Sequence, residues 1–239
     1  MPDSRSVVTC LIVMGLLAPV RASAQALVAG WEGNASKGYV FAMPMFEIPE
    51  GNAAAVVLRG GVNYLYYDVP TDATTLRVSS PGAWLGAGLR LRGKRVAATV
   101  GPGFEVRRTV RKTSGRLIER EIERGLTAQG DMFAQISPRT VLSFLGSYGV
   151  ANRYVWVRSG LRQQLSAYSP TRSVSWALLG DATFHGNQDQ RVMQAGGGVE
   201  FGVRALASSI QFRSGTSRES TAATVRWRPY FGVGLYREF

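Results

Sequence analysis

The segment Tyr230–Phe239, YFGVGLYREF, decides how the rest of the chain is read. Phe231, Val233, Leu235 and Phe239 fall at every second position, with Gly232, Gly234 and Glu238 between them. Strand side chains alternate between two faces, so the segment has one apolar face and one small or polar face. It ends on an aromatic residue, as the closing strand of a bacterial outer-membrane barrel does. Arg237 stands two places before the end, where such strands usually carry an apolar or aromatic side chain. A closing strand in a soluble sheet would alternate in the same way, so the remaining sequence has to choose.

The first residues predict export. Arg5 supplies a positive start, Val7 to Val20 form an apolar run, and Ala22-Ser23-Ala24 offers a cleavage site. This pattern predicts a signal peptide over residues 1–24 and a barrel domain over 25–239, the apolar run being too short to span a bilayer as a helix. Cys10 is the single cysteine and lies inside that run, so the mature chain has no disulfide. The full chain carries a net charge of +12, and removing Arg5, Arg21 and Asp3 leaves +11. A basic exported protein suits outer-membrane lipid, lipopolysaccharide or an anionic polysaccharide. No nucleic-acid motif is present, and export excludes that partner. No second apolar stretch is long enough for a membrane helix, so any crossing must be made by strands closed into a ring.

Alternation fills the chain. Ala26–Asn34 reads as a weak first strand, followed by Gly38–Ile48 with Tyr39, Phe41, Met43 and Met45 on one face. Pro44 predicts a bulge or distortion there. Ala54, Val56, Leu58, Val62, Tyr64 and Tyr66 share a face opposite Arg59, Gly61 and Asn63. Leu85–Leu91, Val96–Val106, Leu126–Ile136, Leu142–Tyr148, Val155–Leu161, Val174–Phe184, Met193–Val203 and Leu206–Phe212 repeat the pattern. Asp68–Gly82, Arg108–Arg124 and His185–Gln190 read as polar loops, and Ser214–Arg228 as either a loop or an extension of the last strand. The sum is an all-β, antiparallel transmembrane β-barrel of about twelve strands, with its termini and short turns on one side and its longer connections on the other.

Two groups of residues are candidate sites. Trp84, Arg90, Asp131, Tyr154, Trp156, Arg158, Arg162, Asp181 and Glu200 all lie opposite the apolar set of their strands. Facing a lumen, they would hold sugar rings or neutralise one another as an ion-pair ladder. Arg108, Arg111, Lys112, Arg116 and Arg120 crowd the predicted 108–124 loop, which would grip lipopolysaccharide phosphates or an acidic glycan, or simply stay solvated. Leu117, Ile118 and Ile122 would line a short helix within it.

His185 is the only histidine, in the context ATFHGNQDQ. Lipid A deacylases and phospholipases of the outer membrane are barrels with a Ser–His pair, but no serine lies in this window. His185 therefore reads as a solvated loop residue, and no catalytic residue is expected. One histidine and no mature cysteine make a zinc site improbable, and Asp181, Asp189 and Glu200 match no calcium loop. No metal or cofactor is expected.

Five stretches carry a family resemblance: GYVFAMPMFEIPEGNAAAVVLRGGVNYLYYD, GLRLRGKRVAATVGPGFEVRR, SYGVANRYVWVRSGLRQQL, LLGDATFHGNQDQRVMQAGGGVEF and PYFGVGLYREF. Together they resemble the cellulose biosynthesis protein S family from about Gly38 to the end of the chain. Where that family usually has an Asp/Pro-rich segment, RTVRKTSGRLIER stands here. The resemblance implies a non-enzymatic outer-membrane accessory to cellulose or other exopolysaccharide synthesis and export. Polysaccharide and components of a cellulose synthase complex would be its partners. An outer-membrane lipid or lipopolysaccharide hydrolase, a small-solute channel and a soluble periplasmic barrel remain as alternatives.

Overall fold

A computed structural model describes residues 25–34, 36–70, 75–114, 116–150, 153–166, 173–187, 190–221 and 225–239. The predicted signal peptide, residues 1–24, lies outside them. Twelve strands run in chain order: β1 (Gln25–Asn34), β2 (Lys37–Glu50), β3 (Ala54–Pro70), β4 (Thr75–Arg92), β5 (Val96–Thr113), β6 (Arg116–Ser137), β7 (Thr140–Gly149), β8 (Tyr154–Ser166), β9 (Val174–Gly186), β10 (Gln190–Val203), β11 (Ser208–Thr221) and β12 (Val225–Glu238). Each pairs antiparallel with its neighbour in sequence, and β12 closes on β1 with Ala26 opposite Glu238 and Trp31 opposite Val233. Closure pairs the backbone groups that an open sheet would leave at its edges.

The faces sort by polarity as a membrane requires. Leu85 is 70% exposed, Val100 69% and Leu126 63%, and all point away from the barrel axis. Ionic side chains elsewhere in the barrel point inward and are largely buried: Arg59 of β3, Arg158 of β8 and Glu200 of β10 are each under a tenth exposed. A water-soluble barrel would reverse this arrangement, because exposing so continuous an apolar belt to water forfeits the main driving force of folding.

Several sequence expectations are corrected. Asp68–Gly82 and Arg108–Arg124, expected as loops, are mainly strand, and Ser214–Arg228, left open between loop and strand extension, is mainly strand as well. They lengthen β3 to β6, β11 and β12 on the side opposite the chain termini, so the extra length there is paired sheet and not loop. Backbone pairing overrides polarity in these segments: Arg107 faces Glu123, and Thr109 faces Glu121 across the β5–β6 ladder. Ile122, assigned to a short helix, sits opposite Arg108 in the same ladder. His185 belongs to β9 and not to a loop. Pro44 interrupts the β2–β3 pairing between Ala42 and Met45, but the register continues unshifted, so it is a gap without a bulge. The turn near Arg204 is a 3-10 turn, Arg204–Leu206, ended by Ala207 in the left-handed region at φ 46°.

Candidate functional site

Register fixes which side chains enter the lumen. Arg59 pairs with Met45 and Gly86, and Glu47 with Val57, so odd-numbered residues of β2 and β3 point inward. By the same reasoning Tyr39, Phe41, Met43 and Met45 line the inside wall, an apolar set facing away from lipid. Tyr39 and Phe41 stack there at 5.6 Å between ring centroids. All nine residues singled out from the sequence, Trp84 through Glu200, also lie on inward positions. The structure distributes them over two networks, apart from Tyr154, which bonds to His185, and adds partners from other strands.

The first network joins β2 to β6. Arg59 donates to Asp131 at 2.9 Å, and Thr99 donates to the other carboxylate oxygen at 3.0 Å. Arg90 donates to Thr99 at 2.9 Å and to Glu47 at 2.7 Å, and Arg92 also pairs with Glu47. Trp84 lies against Gly61 of β3, where any side chain would collide with the indole.

The second network crosses the lumen. Arg158 on β8 bonds to Glu32 on β1, donates to Thr183 at 2.9 Å and lies 3.7 Å from Asp181. Arg213 reaches Glu32 at 3.5 Å and donates to Gln211 at 2.6 Å. Gln211 donates onward to Glu200 at 2.7 Å, and Glu200 also accepts from Arg162. Trp156 offers its ring to Arg158 at 5.6 Å. Tyr230 is fully buried and extends its hydroxyl to Asp181 at 3.5 Å. It can do so because Gly215 and Gly196 lie in the same cross-strand row: a Cβ on Gly215 would strike the tyrosine ring and one on Gly196 its hydroxyl.

β1 and β8 are five strands apart in the ring. In a circular twelve-stranded barrel, strands about 4.8 Å apart and tilted about 40° would put such positions roughly 22 Å apart. Extended arginine and glutamate side chains joined by one ion pair cover roughly 15 Å by standard bond lengths. The Arg158–Glu32 bond therefore requires walls drawn together into a flattened cross-section. Burial agrees: the side chains of Asp131 and Asp181 are only 8% and 3% exposed, although both face the central space. Paired arginines cover both carboxylates, and the Arg158–Glu32 pair crosses the lumen at this level.

The sequence reading missed Glu32, Glu47 and Tyr230 as members of these networks. Glu32 lies in the weakest strand. Glu47 follows a run whose periodicity reads as a lipid-facing apolar set but whose side chains line the lumen. Tyr230 precedes the alternating apolar set and shares its polar face. His185 also turns inward, with its Nδ1 2.6 Å from the Tyr154 hydroxyl. Among the described residues, no group of three or more histidine, cysteine or acidic side chains is arranged to hold a metal.

The predicted basic loop separates onto two faces of a hairpin. Arg111 points inward and pairs with Glu119, whereas Arg108 and Arg120 point outward. Lys112 is beyond a register shift, and Arg116 lies beside the turn.

No family model matches the chain, and no curated protein does. Solved structures match in shape alone. LpxR from Salmonella typhimurium aligns with TM-score 0.54 and 9% identity over 90% of this chain and all of that one. The beta domain of the Bordetella autotransporter BrkA gives 0.53 and 11% over 90% of this chain and 98% of its own. The transport unit of the autotransporter AIDA-I from Escherichia coli gives 0.50 and 12% over 100% of this chain and 99% of its own. The chain thus has the fold of bacterial outer-membrane β-barrels: twelve antiparallel strands, closed, with an apolar exterior.

Proposed function

We propose that this protein is a non-enzymatic barrel of the Gram-negative outer membrane that assists synthesis or export of cellulose or a related exopolysaccharide. Export by the predicted signal peptide and the apolar exterior support the membrane location. One observation carries the non-channel part: buried ion pairs crossing the lumen, led by Arg158–Glu32. A barrel filled this way works through its rims and outer wall, as an accessory does, and not as the conduit for a polymer. The exopolysaccharide assignment rests on the five resembling stretches. Deleting the gene and measuring dye-binding polysaccharide on the cell surface, alongside synthase activity in isolated membranes, tests it. Surface polymer is expected to fall while synthase activity persists. Unchanged surface polymer would overturn the assignment.

The hydrolase reading is favoured by one observation, the inward-facing His185 with its bond to Tyr154. His185→Ala separates the two. Loss of lipid A or phospholipid turnover would favour the enzyme, and unchanged turnover favours the accessory.

A further inference from the structure

Charge on the β5–β6 hairpin is sorted by face. Val96, Ala98, Val100, Pro102, Phe104 and Val106 form the outward apolar stripe of β5. At about 3.3 Å per residue and a tilt of about 40°, this stripe spans roughly the 25 Å expected of a lipid-facing belt. The hairpin continues beyond it. All four acidic residues between positions 105 and 124 (Glu105, Glu119, Glu121 and Glu123) fall on the inward face. Arg107 joins Glu105 there at 2.6 Å, and Arg111 lies 3.7 Å from Glu121 besides its bond to Glu119.

The outward face has the opposite composition. Arg124 pairs across the ladder with Val106, Arg108 with Ile122, and Val110 with Arg120. Three exposed arginines therefore alternate with three apolar side chains from the upper edge of the belt outward. Among the described residues none of these arginines has a salt bridge or a side-chain hydrogen bond. Like charges gathered without counter-ions repel one another, and an anion between them reverses the sign of that term. A guanidinium fork matches the oxygens of a phosphate bidentately. Apolar residues between the arginines would gain nothing from a soluble polyanion but would contact the upper carbons of acyl chains.

We propose that this outward face holds the phosphorylated headgroup of an outer-leaflet glycolipid of the lipid A type. Arg108, Arg120 and Arg124 bind its phosphates, and Val106 and Ile122 pack against the start of its acyl chains. The proposal rests on the membrane-barrel reading above and names the lipid and the wall that binds it.

The test reconstitutes the mature protein into vesicles of zwitterionic phospholipid, with and without lipid A, and measures by mass spectrometry the lipid retained after detergent exchange. Arg108→Gln/Arg120→Gln/Arg124→Gln is compared with wild type and with Arg111→Gln, whose parent side chain faces inward. Wild type and Arg111→Gln are expected to retain lipid A. The triple variant should retain on the order of tenfold less or lower, given the attraction of each arginine to an anionic surface. Retention should also fall with added salt and with dephosphorylated lipid A. Equal retention by the triple variant, or equal retention of the dephosphorylated lipid, overturns the proposal. If wild type enters zwitterionic vesicles but shows no preference for lipid A, this inference alone fails. If it enters no vesicle of either kind, the membrane-barrel reading fails and takes this inference with it.

Discussion

Arg158 shows how much one side chain carries in this barrel. It bonds to Glu32 across the lumen, to Thr183 beside it, and stands near Asp181. Removing one partner of a buried ion pair leaves the other charged and dry, at a cost of roughly 3–5 kcal/mol. Arg158→Ala is therefore expected to lower the unfolding free energy by that order, extrapolated from urea titrations read by the heat-modifiable gel mobility of the folded barrel. A variant as stable as wild type would remove Arg158–Glu32 as a structural tie. Tyr230 depends on a different kind of complementarity. Gly196→Val or Gly215→Val would displace the tyrosine, since a Cβ overlaps its hydroxyl at the first and its ring at the second besides neighbouring backbone, and should destabilise the barrel more than Gly180→Val, where a Cβ meets nothing within 4 Å.

At the scale of the element, the β5–β6 hairpin combines a lipid-facing part with a part above the membrane. Val100 and Val110 are both outward residues of β5, one within the belt and one beyond it. Val100→Arg is expected to cost roughly 2–4 kcal/mol in a lipid bilayer, and Val110→Arg close to nothing, because the penalty falls with distance from the midplane. Unfolding titrations of the two variants in phospholipid vesicles measure that difference. Equal costs would mean that the belt has been drawn at the wrong height. The hairpin also explains why a polar, arginine-rich segment is strand at all. Its carboxylates alternate with its arginines at period two, so the ladder that closes the backbone bonds also sorts the charges.

For the whole molecule, the central question is passage. Two networks occupy the lumen, one along the β2–β6 wall around Glu47, Arg59, Arg90 and Asp131, the other crossing it around Glu32, Arg158, Asp181 and Arg213. Wild type is expected to be silent in planar bilayers, and Arg90→Ala/Arg158→Ala to conduct, if it folds to the heat-modifiable form. Steady wild-type conductance would overturn the filled-lumen description and return the small-solute channel to first place.

The sequence alone determined the class of fold, because alternation is a local property: each of the strands from β3 to β12 shows its apolar and polar faces without reference to any other. It also determined that charge lies opposite the apolar face. Tertiary structure decided the rest. Closure turned the apolar face outward, and pairing turned the presumed loops at Asp68–Gly82 and Arg108–Arg124 into strand. In β2 the aromatic and methionine side chains point inward because register with β1 and β3 fixes their direction, whatever their polarity. Glu32 and Arg158 are 126 positions apart, and no local pattern links them. They meet because a ring of twelve strands brings distant segments to one height and flattens until two side chains can span it.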